Sequence, residues 1–272
     1  FPSQNPKAKK EGCGMSGRGE IKMKLVQLQA EFILAFEVLK RYWFNNLVGT
    51  FVDLVYFYAI FVAVRSLVPK EGLPGTPSLV LMYTVLHLTL GFYTSFYRFL
   101  RNDSLQGTLE HLALAQGGLL RQLFMRLIAQ GTVILTENFL VLLILVVLTG
   151  VTLEVTPWWP LGIGVVLLAA VGISLLVGAL ALYFKQVDNV FTLIQFLLIP
   201  YFLSFIQWRP YMAYLPFAPG AHLVRLGLTG GEFDRGIFLL ALLQGLLLFG
   251  AGLWAMAYMY RLVRRRGILG RF

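Results

Sequence analysis

Six stretches of twenty or more largely apolar residues, 47–67, 79–100, 127–148, 161–184, 187–206 and 237–260, constrain this chain more than any other feature. About 20 such residues make a helix long enough to cross the hydrocarbon core of a bilayer. No water is at hand there for backbone N–H and C=O groups, so a spanning segment closes its hydrogen bonds internally, as a helix. The expected fold is an all-α integral membrane protein with six transmembrane helices. Composition agrees: 13% of the 272 residues are charged, against about a quarter in soluble domains.

The charge distribution gives the orientation. Net charge is +10, which alone would also suit a nucleic-acid binder. Such a protein would carry its bases on a polar, soluble face, whereas here they sit in short loops and tails beside apolar runs, so no nucleic-acid partner is expected. With six spans both termini share one side. Eighteen of the 23 Lys and Arg then fall on that side, and the other keeps Arg65, Lys70, Arg209, Arg225 and Arg235. Bases gather on the cytoplasmic face. The expectation is a plasma (inner) membrane protein with cytoplasmic termini.

Residues 1–20 read as a disordered leader or a cloning remnant, with Met15 and Met23 as candidate natural starts. Residues 21–46 read as an interfacial amphipathic helix. Leu25, Leu28, Phe32, Phe36, Leu39 and Trp43 form an apolar stripe, and Lys24, Gln27, Glu31 and Arg41 lie on the far side. The spanning domain covers 47–272. Before its last span, 207–232 is rich in Pro and aromatics and too broken to cross, so it is expected to form a short re-entrant or interfacial hairpin at the outer face.

No catalytic chemistry is legible. The single Cys13 forms no disulfide within the chain, the three His lack metal-ligand spacing, and neither a nucleophile elbow nor a Gly-Lys dipeptide occurs. No metal or cofactor site is expected on this chain. Ionisable groups inside the apolar runs are candidate functional residues, because burying them in lipid is costly unless they are paired or hydrated. They are Asp53 and Arg65 in the first span, His87 in the second and Glu137 beside Asn138 in the third. Glu137 and Asn138 either line a translocation path or satisfy a neighbouring helix. Tyr93 and Tyr97 either face the path or serve as packing and belt residues.

The loop 102–118, NDSLQGTLEHLALAQGG, lies between the second and third spans with Arg98, Arg101, Arg121 and Arg126 on its flanks. Thr108 is placed to cap a short helix with Glu110 in its first turn, and Leu109, Leu112 and Leu114 give that helix an apolar side to press against another protein. Gly107, Thr108, Leu109 and Glu110 resemble the GTLE-type coupling-helix loop of ABC-2-type ABC transporter permeases. The interfacial helix, the six spans and the 215–225 stretch LPFAPGAHLVR extend the resemblance; Pro219 and Arg225 match the family's Asn-Pro-Leu…Arg stretch, and Ala218 stands where Asn is common.

The resemblance implies the membrane subunit of an exporter, working as a homodimer or with a related permease. A separate ATPase subunit, carrying ATP and Mg, would dock on Gly107, Thr108, Leu109, Glu110 and Leu112, with 185–188 adding to the contact. The cargo implied is an amphiphile, a drug or a lipid-linked glycan. Two other readings stand beside it. One is a stand-alone secondary transporter or channel using Glu137, His87 and Asp53 as a relay. The other is a membrane scaffold that anchors a cytoplasmic partner.

Overall fold

A computed structural model describes residues 17–67, 75–114, 118–184, 187, 189–190, 193–194, 204 and 208–266; for 17–24, 64, 65, 67, 110 and 113 it describes the backbone alone. Among the described residues the structure is helical, apart from one isolated bridge between Glu154 and Thr229. The helices are α1 (Gly17–Arg41), α2 (Trp43–Leu67), α3 (Thr76–Tyr93), α4 (Ser95–Leu105), α5 (Leu109–Leu114), α6 (Gly118–Thr149), α7 (Trp159–Phe184), α8 (Ala218–Leu228) and α9 (Arg235–Arg266), with a 3₁₀ turn at Pro210–Tyr214 before α8. Five helical stretches among the described residues are long and apolar enough to cross a membrane: Trp43–Ala63, Thr76–Leu105, Gly118–Thr149, Trp159–Phe184 and Arg235–Arg266. They coincide with five of the six expected spans. The remaining one, 187–206, lies almost wholly outside the described residues, as do Arg65's side chain and the 185–188 contact except Val187.

Boundaries shift in instructive places. The first helix begins at Gly17, inside the stretch expected to be a leader, and the chain turns at Tyr42 rather than after residue 46. The second span is two helices, α3 and α4, meeting at Thr94. The Thr94 hydroxyl donates to the Leu90 and Gly91 carbonyls and the Ser95 hydroxyl to that of Gly91. Hydroxyls bonded back onto the preceding turn bend a helix. At the start of α4 the Phe96 N–H donates to Ser174 Oγ on α7, 3.0 Å away.

α7 is the centre of the bundle. Its glycines, alanines and Ser174 let neighbours approach closely, which is how helices associate where lipid removes the hydrophobic drive. A Cβ added at Gly172 would stand 2.6 Å from the Leu248 carbonyl carbon of α9. On another face, Gly162 meets the backbone of Val224 on α8. α8 enters through Phe217, held at φ 69 before Ala218 and Pro219, in the left-handed region that costs an ordinary residue about 1 kcal/mol. The Thr156 N–H and hydroxyl both donate to the Gly227 carbonyl at 2.8 Å, tying the far end of α8 to the start of α7.

Candidate functional site

The coupling loop predicted from sequence takes a defined shape. Gly107 adopts φ +68, a conformation glycine enters without steric cost, and the chain reverses into the short helix α5. The Thr108 carbonyl accepts the Leu112 N–H at 3.0 Å, so Thr108 occupies the N-cap position. Its hydroxyl, however, turns back to the Asp103 carbonyl, 3.2 Å away, instead of serving as the expected side-chain cap. Leu109 is buried in the main core with Leu112 packed against it, while His111 and Leu114 are exposed. The expected apolar side of this helix is thus divided: two leucines face the bundle and one faces out. Glu110 lies in the first turn, and its side chain is among those not described.

Asp103 is the anchor of this loop, and sequence reasoning did not single it out. It is buried, and both its carboxylate oxygens accept from Arg126 Nη1 of α6, at 2.9 and 2.8 Å. Arg126 Nε lies 3.6 Å from Glu31 Oε2 on α1, and the guanidinium stands 5.7 Å over the Phe99 ring. Arg121 Nη2 donates to Gln27 Oε1 at 2.8 Å. Gln27 and Glu31, expected on the outward polar side of the first helix, therefore turn inward to arginines. Of the expected apolar stripe, Leu25, Phe32, Phe36 and Trp43 are exposed. The expected division of faces is not kept: Ala35 and Leu39 line the same cavity as Glu31, while Glu37, Lys40 and Arg41 are exposed beside Phe36 and Trp43, and the inward ionic groups gain charge-assisted bonds. The only sequence signal was the i, i+4 spacing of Gln27 and Glu31.

A second polar cluster lies deeper. His87 Nε2 is 3.1 Å from Asp53 Oδ2. Its Nδ1 is 3.4 Å from Asn138 Oδ1, and Asn138 Nδ2 donates to the Ile134 carbonyl at 3.2 Å. The Tyr83 hydroxyl donates to the Asp53 carbonyl, and the Tyr83 ring stacks on His87 with 6.2 Å between centroids. Asp53, His87 and Glu137 line one small cavity of about 150 Å³ with Asn45, Asn46, Gly49, Thr50 and Val141. A larger cavity of about 520 Å³, lined among others by Glu31, Asp103, Arg126 and Gln130, also includes Asn46 and Glu137. The two adjoin at Asn46 and Glu137 and together make up a cleft region between α1 and α2 on one side and α3, α4 and α6 on the other.

Of the expected path residues, Glu137 is in this cleft and Asn138 is at its edge. Tyr93 and Tyr97 are not: both are buried in the main hydrophobic core. Arg101 reaches the Tyr97 hydroxyl from the next turn, at 3.3 Å.

Pro219 and Arg225 lie on α8, outside the five candidate spans. Pro219 occupies the first turn, where its missing N–H costs nothing. The Arg225 guanidinium is 3.4 Å from His222 Nδ1, and Trp208 stacks on the His222 ring at 4.1 Å. Burial, reinforced by the Arg225 charge, pushes His222 down to about 4. Burial also lowers Arg225. Gln244 of α9 donates to the Ala213 carbonyl at 2.8 Å and secures the 3₁₀ turn.

No group of three or more His, Cys, Asp or Glu suited to a metal ion occurs among the described residues. The chain matches no protein-family model, and no similar curated protein or solved structure was found.

Proposed function

We propose that this chain is the membrane-spanning permease subunit of an ATP-driven exporter of the ABC-2 type. The observation that carries the reading is the Gly107–Leu112 loop: a left-handed glycine, a short helix whose N-cap residue is tied back to Asp103 through the Thr108 hydroxyl and, beneath it, the Asp103–Arg126–Glu31 network. A force applied to that helix by a docked ATPase reaches α4, α6 and α1 together, because buried charge-assisted bonds resist separation. In this reading, 187–206 supplies the sixth span and the termini face the cytoplasm of an inner membrane. Residues 207–232 form the outer re-entrant hairpin, and two permease copies, identical or related, enclose the path. ATP and Mg belong to the partner ATPase.

The deciding experiment is purification in mild detergent from the native host. A stoichiometric partner with a Walker A loop is the expected outcome, and its absence from a stable, oligomeric preparation sinks the assignment. With that partner in hand, Glu110→Lys is expected to weaken docking by about tenfold or more, as reversing an interfacial charge does, without changing the melting temperature; unchanged affinity would remove α5 from the contact. Cysteines introduced at Gly72 and at Gly267 should label from opposite sides of the membrane, and labelling from one side would overturn the six-span topology.

A specific observation keeps a second reading in play. The Asp53–His87–Asn138 chain with Glu137 beside it is the kind of intramembrane polar cluster that secondary transporters and channels use. Transport by the purified chain alone, without an ATPase, would favour that reading.

A further inference from the structure

From the shape and charge of the cleft we infer that it is a binding site for an amphiphilic cation, entered from the lipid side between α1–α2 and α6. The assignment names a cargo class for the transport reading. It rests on that reading only for the step that moves the ligand, since binding is a property of this chain.

Three independent features converge. The first is space: the two adjoining cavities, about 520 and 150 Å³ and both lined by Asn46 and Glu137, are large enough for an organic headgroup and part of its apolar body. The second is charge. In the larger cavity the two cations Arg98 and Arg126 stand against the two carboxylates Asp103 and Glu31, Arg126 being in direct contact with both. The smaller one sets the two carboxylates Asp53 and Glu137 against the single imidazole of His87, with no Lys or Arg in its lining. Glu137 makes no hydrogen bond or ion pair among the described residues. It lies on α6 about 18 Å from that helix's outer end at 1.5 Å rise per residue. A cation seated there supplies the counter-charge that an intramembrane carboxylate otherwise lacks. The third is the approach: Leu34 and Val38 line the cleft while being exposed, and Phe51 and Val52 stand exposed on the adjoining α2. That is a mouth for an apolar tail. The site is also preformed, since Tyr83 holds the Asp53 backbone and packs on His87, which Asn138 holds from its other ring nitrogen.

The probe is tetraphenylphosphonium, whose charge does not titrate, measured by equilibrium dialysis on the full-length chain in detergent. Tetraphenylborate, of the same shape and opposite charge, is the control. The expected result is saturable binding of the phosphonium and only micelle partitioning of the borate. Glu137→Gln should weaken the phosphonium at least about tenfold, Glu137→Asp should keep part of the affinity, and Glu232→Gln, outside the cleft, should change nothing. Should Glu137→Gln fail to fold, Asp53→Asn carries the same expectation. Equal binding of the two ions, or full affinity in a folded Glu137→Gln chain, overturns the site and leaves a hydrated void. Nanodiscs distinguish the occupant: a phosphonium affinity lowered by phosphatidylethanolamine, relative to phosphatidylglycerol alone, identifies a resident amine lipid, and an unchanged affinity identifies a diffusible cation. Because no ATPase takes part, failure here leaves the exporter assignment standing, and failure to find an ATPase leaves this site standing.

Discussion

α7 and α2 are apolar helices of nearly equal length, 26 and 25 residues, but 78% of the most apolar stretch of α7 is buried within the protein against 6% for α2. The difference lies in side-chain size. α7 carries Gly162, Ala169, Ala170, Gly172, Ser174, Gly178 and Ala179, so α8, α9 and α4 reach its backbone. α2 presents Phe51, Val55, Tyr56 and Tyr58 outward, and all four are exposed. Hydropathy does not set this burial, because lipid and protein interior are both apolar: α3 and α4 together are as buried as α7 at half its mean hydropathy, 1.4 against 2.8. What separates α7 from α2 is whether a neighbouring backbone can come close, which small residues permit and aromatics prevent. α2's polar side, with Asn46, Thr50 and Asp53, is the exception: it turns toward the cleft.

The sharpest test makes one substitution in both helices. Gly172→Ala pushes a methyl into the Leu248–Phe249 backbone, and relieving such a clash should cost about 3 kcal/mol, read as a large drop in melting temperature. Gly49→Ala on α2 meets nothing within 4 Å. There the better helix propensity of alanine should leave stability unchanged or raise it by up to about 1 kcal/mol. A comparable loss at Gly49 would break the comparison and mean that α2 packs against protein within the membrane.

Next in size is the junction between the buried and exposed halves. Asp103→Asn removes the carboxylate charge whose two oxygens share Arg126 Nη1, while leaving Glu31 near the guanidinium. The expected loss is about 2 kcal/mol, below the range for stripping a fully buried charge of its only partner. The companion change Arg126→Gln in the same chain should cost less than the two single changes added together. Additive losses would show that the pair does not couple the loop to α6.

The smallest effect concerns α8. His222 titrates near 4 in the folded protein, below the 6.5 of an ordinary imidazole. The unfolded chain therefore takes up the proton first, and stability falls as pH drops from about 6.5 toward 4. His222→Gln should flatten that part of the melting-temperature profile. An unchanged slope would place the acid sensitivity elsewhere, with the peripheral helices and their ionic contacts the next to test.

Much of the architecture was legible from hydropathy, because a twenty-residue apolar run has few alternatives in lipid; five of the expected spans appear as helices, the largest shift being α6, which starts at Gly118 rather than 127. The site was legible in part. Asp53, His87, Glu137 and Asn138 announced themselves as polar residues in apolar company, but their convergence needed α2, α3 and α6 side by side. Tyr93 and Tyr97 carry no sequence mark separating a core aromatic from a path-lining one, and the bundle places both in the core. The first helix shows the limit most clearly. Its 3.6-residue periodicity says neither which face meets protein nor that Leu39 would line the same cavity as Glu31 while Arg41 stays exposed beside Trp43.

The sequence by itself determined that this chain is helical, rich in spanning segments and equipped with a short glycine-led loop between two of them, because lipid forbids unpaired backbone and glycine alone turns freely at positive φ. The tertiary structure alone decided that Gln27 and Glu31 face inward, that Asp103 anchors the loop, and that Asp53, His87 and Glu137 share a cleft. Those are outcomes of helices from distant parts of the chain meeting at ångström separations, where a charge left unpaired out of water would cost more than any local preference supplies.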